Sequence, residues 1–293
     1  MLSSENDVPL REEEFRLIRD LVRERFGIYF DDAHRESLRS RLVGRLSHLD
    51  LLSFEEYYQY LRFGPERSGE HLHMISLLTN NETYFYREKP QLDVFAQMVL
   101  RKVRERKSQE GRRDLRILSA GCSTGEEAYT LAMLIYDSGQ FFWNWDITVC
   151  GIDVDQLALE KARSGIYFHN SFRSMDPATL ERHFAPSGKG TAVKEVIRRL
   201  VKFRQGNLLE IDTYSDLRPV DVVFCRNVLI YFTDPSIRKV VLNFHDVLTP
   251  GGYLLLGHAE SLSRITDVFQ PIRFPGTMIY QKHGPVGEAG GAP

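Results

Sequence analysis

The sequence predicts an α/β domain built on an open, largely parallel sheet, preceded by a small all-α domain. Three observations predict it. Leu115 to Glu127 reads LRILSAGCSTGEE, an apolar run, a turn of small residues, and two acids that open a helical pattern. From there onward apolar β-type runs alternate with helical patterns, as in a parallel sheet covered on both faces. Before it, residues 10–78 carry helical spacing only.

Residues 1–9 read as a loose leader. Phe15, Ile18, Leu21, Val22 and Phe26 mark a first helix, which Gly27 ends. Leu38, Leu42, Leu46 and Leu49 share one face of a second. Arg41 and Arg45, four apart, lie together beside that stripe, with Arg39 on the same helix. Ser53 caps a third helix carrying Phe54, Tyr57, Tyr58 and Leu61, and Gly64-Pro65 ends it. A fourth carries Leu72, Ile75, Leu77 and Leu78. The stretch TNNETYFYR opens a linker, residues 79–92, too polar for core and too aromatic for a floppy tether. Leu92, Phe95, Met98, Val99 and Val103 mark a further helix. The charged stretch Arg101 to Arg113 reads as its solvated end and a loop.

Ile147 to Val154 is the second strand, and Asp155 to Arg163 a helix. Residues 165–200 break the rhythm and read as an inserted subdomain of short strands and one helix. Val201 to Gly206 resumes the sheet, Val220 to Cys225 is the fourth strand, and Pro235 to Leu248 a helix. Pro250-Gly251-Gly252 turns into Tyr253 to Gly257. Thr277 to Lys282, with Phe274 before it, closes the sheet as a hairpin. The predicted division is a helical domain 1–78, a linker 79–92, an α/β domain 93–284 with its insertion, and a flexible tail 285–293.

Composition narrows the function. At 42% hydrophobic residues the chain can bury a substantial core, and a net charge of −2 gives no global pull toward nucleic acid or an anionic membrane. No apolar run is long enough to span a bilayer, and no secretory signal is visible. Cys122, Cys150 and Cys225 sit in or at the ends of predicted strands without metal-ligand spacing. They read as reduced thiols of a cytoplasmic protein with no metal site.

The chemistry collects at the ends of successive strands, where open α/β sheets bind ligands. Gly121 belongs to the small-residue turn. That turn lacks the Gly-Lys-Ser/Thr ending of a phosphate loop, and Glu126 and Glu127 would repel a pyrophosphate. A ligand with hydroxyls or a positive charge suits it better. Asp153, ending the second strand, can accept hydrogen bonds from both ribose hydroxyls of a nucleoside. Asn207 and Leu208, after the third, can read an adenine edge and cover its face. Cys225, Arg226 and Asn227 follow the fourth. The ordered set, without a phosphate-binding glycine fingerprint, points to S-adenosylmethionine rather than a dinucleotide.

The stretches TNNETYFYRE, SAGCSTGEEAYTLAM, GIDVDQLALEKARSGIY, GNLLE, FCRNVLIYF and LTPGGYLLLGHAES, with the closing TMIYQK, make the chain similar to the CheR family of chemotaxis receptor methyltransferases. They span nearly the whole chain in family order. The resemblance implies a Rossmann-like S-adenosylmethionine-dependent methyltransferase sheet with an inserted β-subdomain, behind an all-α substrate-recognition domain. It implies methylation of specific chemoreceptor glutamates to 5-O-methyl esters, with S-adenosylhomocysteine as product, for sensory adaptation. Asn81, Thr83 and Arg87 of the linker would reach the cofactor site, and Glu127, Asp153, Asn207, Leu208, Cys225 and Arg226 would line the rest. Arg87 and Tyr231 would flank the transferring methyl as catalytic residues. Arg39, Arg41 and Arg45 would recognise the receptor's methylation helices.

A glutamate carboxylate is ionised at neutral pH, with an ordinary pKa near ~4.3, so this reaction needs no general base. His258 then reads as structural. Glu126 reads as complementing a helix N-terminus, and Phe85 and Tyr86 as packing that fixes the linker. Some family members bind a receptor C-terminal peptide on the β-subdomain; the short loop Pro186 to Ala192 implies a form that does not need it. The expected enzyme is a cytoplasmic monomer recruited to membrane receptors through protein contacts. The alternatives are a catalytically silent cofactor-binding regulator and a methyltransferase for another acceptor.

Overall fold

The computed structural model describes residues 8–79, 81–141, 144–217 and 219–284. The expected tail at 285–293 and most of the leader lie outside the described residues. Four helices form the first unit: α1 (Glu12–Phe26), α2 (Arg35–His48), α3 (Phe54–Phe63) and α4 (Arg67–Leu78). Gly27 ends α1 at φ 73°, and the Ser53 hydroxyl accepts the Glu56 N–H at 3.2 Å at the start of α3. Phe15, Ile18, Leu38, Leu42, Phe54, Tyr57, Met74 and Ile75 fill the shared core.

The fourth helix is rotated from the leucine stripe the sequence suggests. Its inner face is Glu70, His71, Met74, Ile75 and Leu78, and Leu77 is 39% exposed. A buried ion pair sets that rotation. Glu70 accepts both Arg45 Nε at 2.9 Å and Arg45 Nη2 at 2.6 Å, with the Tyr57 hydroxyl at 2.7 Å. Arg45 is therefore an internal strut, not part of an exposed arginine face.

His71 beside it is 2% exposed, and neither ring nitrogen has a hydrogen-bond partner of good geometry. Burial, with Arg25 and Arg67 nearby, pushes its imidazole down from 6.5 to about 4. The folded chain refuses a proton that the unfolded chain accepts below pH 6.5. Stability is therefore lost as pH falls from 6.5 to 4, by up to about 3 kcal/mol from this group. Thermal melts should show the gap between pH 7.5 and pH 5 narrowing in His71→Phe; an unchanged gap would contradict this.

Linker residue Phe85 is fully buried against Tyr167, Phe172 and Phe184, with ring centroids 4.8, 5.5 and 5.0 Å away. The linker is thus nailed to the inserted subdomain. A continuous helix follows: α5 (Lys89–Val94), a π-helical stretch Phe95–Val99, and α6 (Leu100–Gln109). Its end is not wholly solvated, contrary to the sequence reading. Lys107 is fully buried and meets Asp114 and Asp221 at 3.0 Å each, and Arg106 holds Asp221 at 2.8 Å. These charges tie the helix to the sheet's starting edge.

The α/β unit runs β1 (Asp114–Ala120), α7 (Glu126–Asp137), β2 (Asp146–Asp153) and α8 (Gln156–Ser164). The insertion holds β3 (Ile166–Tyr167), α9 (Pro177–His183), β4 (Phe184–Ser187), β5 (Gly190–Val193) and α10 (Glu195–Arg198). Its strands make a separate antiparallel sheet, order β3-β5-β4, with Gly188 and Lys189 as the tight turn. Then come β6 (Val201–Gln205), β7 (Val220–Cys225), α11 (Asp234–Val247), β8 (Leu248–Leu256), β9 (Phe269–Phe274) and β10 (Thr277–Lys282). The main sheet has order β6-β2-β1-β7-β8-β10-β9. Its first five strands are parallel, and β10 runs antiparallel to both neighbours. Pro250-Gly251 is an irregularity inside β8, not a turn before it; Leu248 already pairs with Val220. The direction of winding reverses at β1, between β2 and β7, and ligands bind such sheets at that switch point. No helix of the described residues is long and apolar enough to cross a membrane.

Candidate active site

A cavity of about 510 Å³ opens at the switch point. Its walls come from the turn after β1, the ends of β2, β6 and β7, the linker, and the all-α domain. The turn is set by backbone. The N–H groups of Gly121 and Cys122 both donate to Ile152 O, at 2.7 and 3.0 Å. Gly121 has φ 73°, and a Cβ there would sit 2.4 Å from a Val228 methyl, so only glycine fits.

Asp153 ends β2 and accepts the N–H groups of Ser123 at 2.7 Å and Asp155 at 2.9 Å. Burial pushes its carboxyl up to about 6. Each carboxylate oxygen still has a free acceptor direction, and ligand hydroxyls would offset the lost hydration. Glu127 takes the Ser119 hydroxyl at 2.7 Å on one oxygen and Arg226 Nε at 2.7 Å on the other.

Arg226, 7% exposed, also donates from Nη1 to Arg87 O at 2.8 Å. One guanidinium therefore joins the loop after β7, the first turn of α7 and the linker. Asn81 makes the second joint. Its Oδ1 accepts the Ser123 hydroxyl at 3.0 Å, and its Nδ2 donates to Asp155 at 2.7 Å. Thr83 and Arg87 line the cavity from the linker, and Arg87 is half-buried, with Nη1 on Glu82 O at 3.0 Å. Tyr86 and Glu88 hold positive φ, 59° and 57°, the backbone strain of a segment fixed from both sides.

Asn207 and Leu208 line the wall after β6. The Asn207 amide nitrogen is spent on Arg25 O at 2.7 Å, at the end of α1. Its oxygen, which accepts the Leu209 N–H at 3.1 Å, is the atom left to meet a ligand donor. Tyr231 lines the mouth, 37% exposed.

Two expected site residues are displaced. Cys225 is fully buried in the layer under α11 and is absent from the cavity wall. Strand alternation turns it with Val223 into that core, while Phe224 faces the other layer. Arg45 is committed to Glu70, as above. Arg41 is exposed at the cavity wall and donates to Leu77 O and Leu78 O at 3.3 and 3.0 Å. Arg39 pairs with Glu36 at 2.7 Å. The three arginines thus form no single ridge.

Other residues shape the site or its surroundings. Glu260 accepts the N–H groups of Asn227, Val228, Leu229 and Gly257, at 2.9, 2.9, 2.7 and 2.6 Å. It moulds the loop that carries Tyr231; the acid of GHAES was its only sequence signal. Glu126 is buried, which raises its pKa. It accepts the hydroxyls of Thr124 and Ser171, linking the β1 turn to the inserted subdomain beyond any role at the helix end. His258 is exposed and meets Glu88 at 2.9 Å, away from the cavity wall. Tyr29, Phe30 and His34 of the all-α domain complete the wall.

The donor set fits S-adenosylmethionine. Asp153 suits a pair of hydroxyls, the remaining acceptor direction of the Asn207 oxygen suits an amino donor, and Glu127 at the helix start suits a cation rather than a phosphate. The volume falls in the range of small-molecule sites.

Comparison with known proteins agrees in both domains. The family model described as CheR methyltransferase, all-alpha domain, matches residues 13–79, and that described as CheR methyltransferase, SAM binding domain, matches 81–277. The chain is 36% identical over 279 residues to chemotaxis protein methyltransferase 2 of Vibrio cholerae, covering 94% of this chain and 95% of that one. It is 34% identical over 274 residues to the chemotaxis protein methyltransferase of Escherichia coli, covering 92% and 91%. It is 32% identical over 262 residues to the probable biofilm formation methyltransferase WspC of Pseudomonas aeruginosa, covering 89% of this chain and 60% of that one. With both domains matched in order, around a cavity whose donors suit S-adenosylmethionine, the chain belongs to the CheR methyltransferase family.

Proposed function

We propose that the protein methylates glutamate side chains on the cytoplasmic helices of chemoreceptors, giving 5-O-methyl esters and S-adenosylhomocysteine for sensory adaptation. The observation that carries this reading is Arg87 and Tyr231 on the wall of the same cavity as Asp153 and Glu127. S-adenosylmethionine, when bound, supplies a methyl group on a sulfonium cation. The acceptor carboxylate is already ionised at neutral pH, so the chain has to align it and keep water out. Arg87 holds the carboxylate through its planar fork, weakly enough to leave one oxygen nucleophilic. The Tyr231 hydroxyl orients it from the other side. The linker and the all-α domain close the cavity and exclude water.

Arg41 supplies positive charge at the cavity wall, and Arg39 further along the same helix adds to it, for acidic receptor helices. Arg45, bound inside, is left out of that set. The two-residue turn of the β4–β5 hairpin offers no long loop to wrap a receptor peptide. This supports recruitment through the all-α domain.

The test is methyl transfer from labelled S-adenosylmethionine to receptor-containing membranes. The expected product releases its label as volatile methanol in mild base. A base-stable label would mean another acceptor. S-adenosylhomocysteine binding with no transfer to any acceptor would mean a silent binding protein.

A further inference from the structure

The all-α domain meets the methyltransferase domain through backbone. Ile28 and Phe232 form an antiparallel β-bridge. The Tyr29 N–H donates to Tyr231 O at 3.0 Å, and the Thr233 N–H donates to Gly27 O at 3.3 Å. An antiparallel bridge at 28 and 232 puts residues 29 and 231 directly opposite each other. Tyr231 closes a 3-10 turn, Leu229–Tyr231, and the chain becomes extended at Phe232, so the turn and not strand alternation places the Tyr231 ring.

Burial separates the two residue pairs. Ile28 is 8% exposed and packs in the all-α core; Phe232 packs against that core and against the one under α11. Tyr29 and Tyr231, which face each other across the bridge, both line the cavity. At 46% and 37% exposure they stand at its mouth. Arg19 also lies against Tyr29. The Arg19 guanidinium lies 5.9 Å from its ring centroid and is fixed by Asp32 at 3.2 Å. Gly27 sets the register: it has φ 73°, and a Cβ there would meet the Phe232 ring at 2.6 Å.

We propose that Tyr29 is a further acceptor-binding residue, its ring and that of Tyr231 flanking the methyl-accepting side chain. The all-α domain then builds part of the acceptor pocket itself, beyond offering charge for docking. This inference rests on the receptor-glutamate reading above. A glutamate side chain is short, so the helix that carries it must come down onto the mouth. The residues three and four positions away lie on the same helical face and must touch the rim. An aromatic ring there covers the glutamate methylenes and keeps water from the carboxylate, and it needs no charge to do so.

The experiment compares full-length wild type, Tyr29→Ala and Tyr29→Phe on receptor membranes, with S-adenosylhomocysteine binding measured alongside. Tyr29→Ala should raise the receptor KM about tenfold, the loss of one buried aromatic contact at a mouth. Tyr29→Phe should stay near wild type, and all three should bind S-adenosylhomocysteine alike. Amide exchange at Thr233 reports whether the bridge survives. If Tyr29→Ala loosens it, Tyr29→Val, which keeps a strand-forming residue, carries the same comparison. An unchanged KM in the variant that keeps the bridge would overturn the proposal. So would a fall in S-adenosylhomocysteine affinity that matches the rise in KM, because the ring would then serve the cofactor. A wild type that labels no receptor removes the functional reading itself. A wild type that labels receptors while the Tyr29 variants match it removes this inference alone.

Discussion

Arg87→Ala is expected to lower turnover on receptor glutamates about a hundredfold while leaving S-adenosylhomocysteine affinity within about threefold. The size follows from what is lost. A hydrogen bond to a charged group contributes about 1.5–3 kcal/mol, and on the proposed function that bond would hold the attacking oxygen in line with the methyl. The asymmetry follows from position. The Arg87 guanidinium rests on Glu82 O at 3.0 Å and 5.7 Å from the Tyr84 ring centroid, both linker groups. Asp153, Glu127 and Asn207 hang on other elements and keep their places when it goes. Single-turnover rates and isothermal titration with S-adenosylhomocysteine separate the two effects. Near-normal turnover would remove Arg87 from the acceptor site. Loss of binding equal to the loss of rate would move it to the cofactor.

Arg226→Met has the opposite signature: binding and stability fall together. Arg226 is buried, and its Nε faces Glu127 at 2.7 Å while its Nη1 holds Arg87 O at 2.8 Å. Methionine fills much of the volume but removes the charge and the donors. Glu127 keeps only the Ser119 hydroxyl, and the linker loses its staple. Breaking one side of a buried ion pair costs about 3–5 kcal/mol. Thermal unfolding should drop clearly, and S-adenosylhomocysteine affinity should fall by at least about tenfold, since the wall that faces it is built from both partners. The double variant Arg226→Met/Glu127→Gln should regain part of the stability, because the stranded charge is gone, without regaining affinity. A single variant as stable as wild type would show that the pair carries no structural duty.

Features set by local chemistry were legible in the sequence. The turn from Ser119 to Gly125 announced itself through its small residues, and Gly121 is required there by Val228. Asp153 followed from its place at a strand end. The helix limits at Gly27 and Ser53 came from capping residues. Features set by distant partners were not. An arginine four residues from another reads as a charged face; only the fold brings Glu70 and Tyr57 against Arg45. Lys107 looked solvated because its partners, Asp114 and Asp221, come from two strands of the sheet. Cys225 could have been set aside in advance, since strand alternation in VDVVFC pairs it with Val223 on the core side. Tyr29 had no signal of its own. Its proposed role depends on a short backbone pairing between segments some 200 positions apart, which no local pattern encodes.

The site is thus made of two halves joined by Arg226 and Asn81, with a third wall brought by the all-α domain. The proposed function of that site is the methylation of glutamate carboxylates. The most direct measurement is tandem mass spectrometry of a chemoreceptor incubated with the enzyme and S-adenosylmethionine, with glutamine replacing each labelled glutamate in a parallel sample. The account predicts methyl groups on glutamate side chains of the cytoplasmic helices, removed by mild base and missing where glutamine stands. Methyl groups on lysine, arginine or any other nitrogen, stable to base and indifferent to the glutamine replacements, would contradict it.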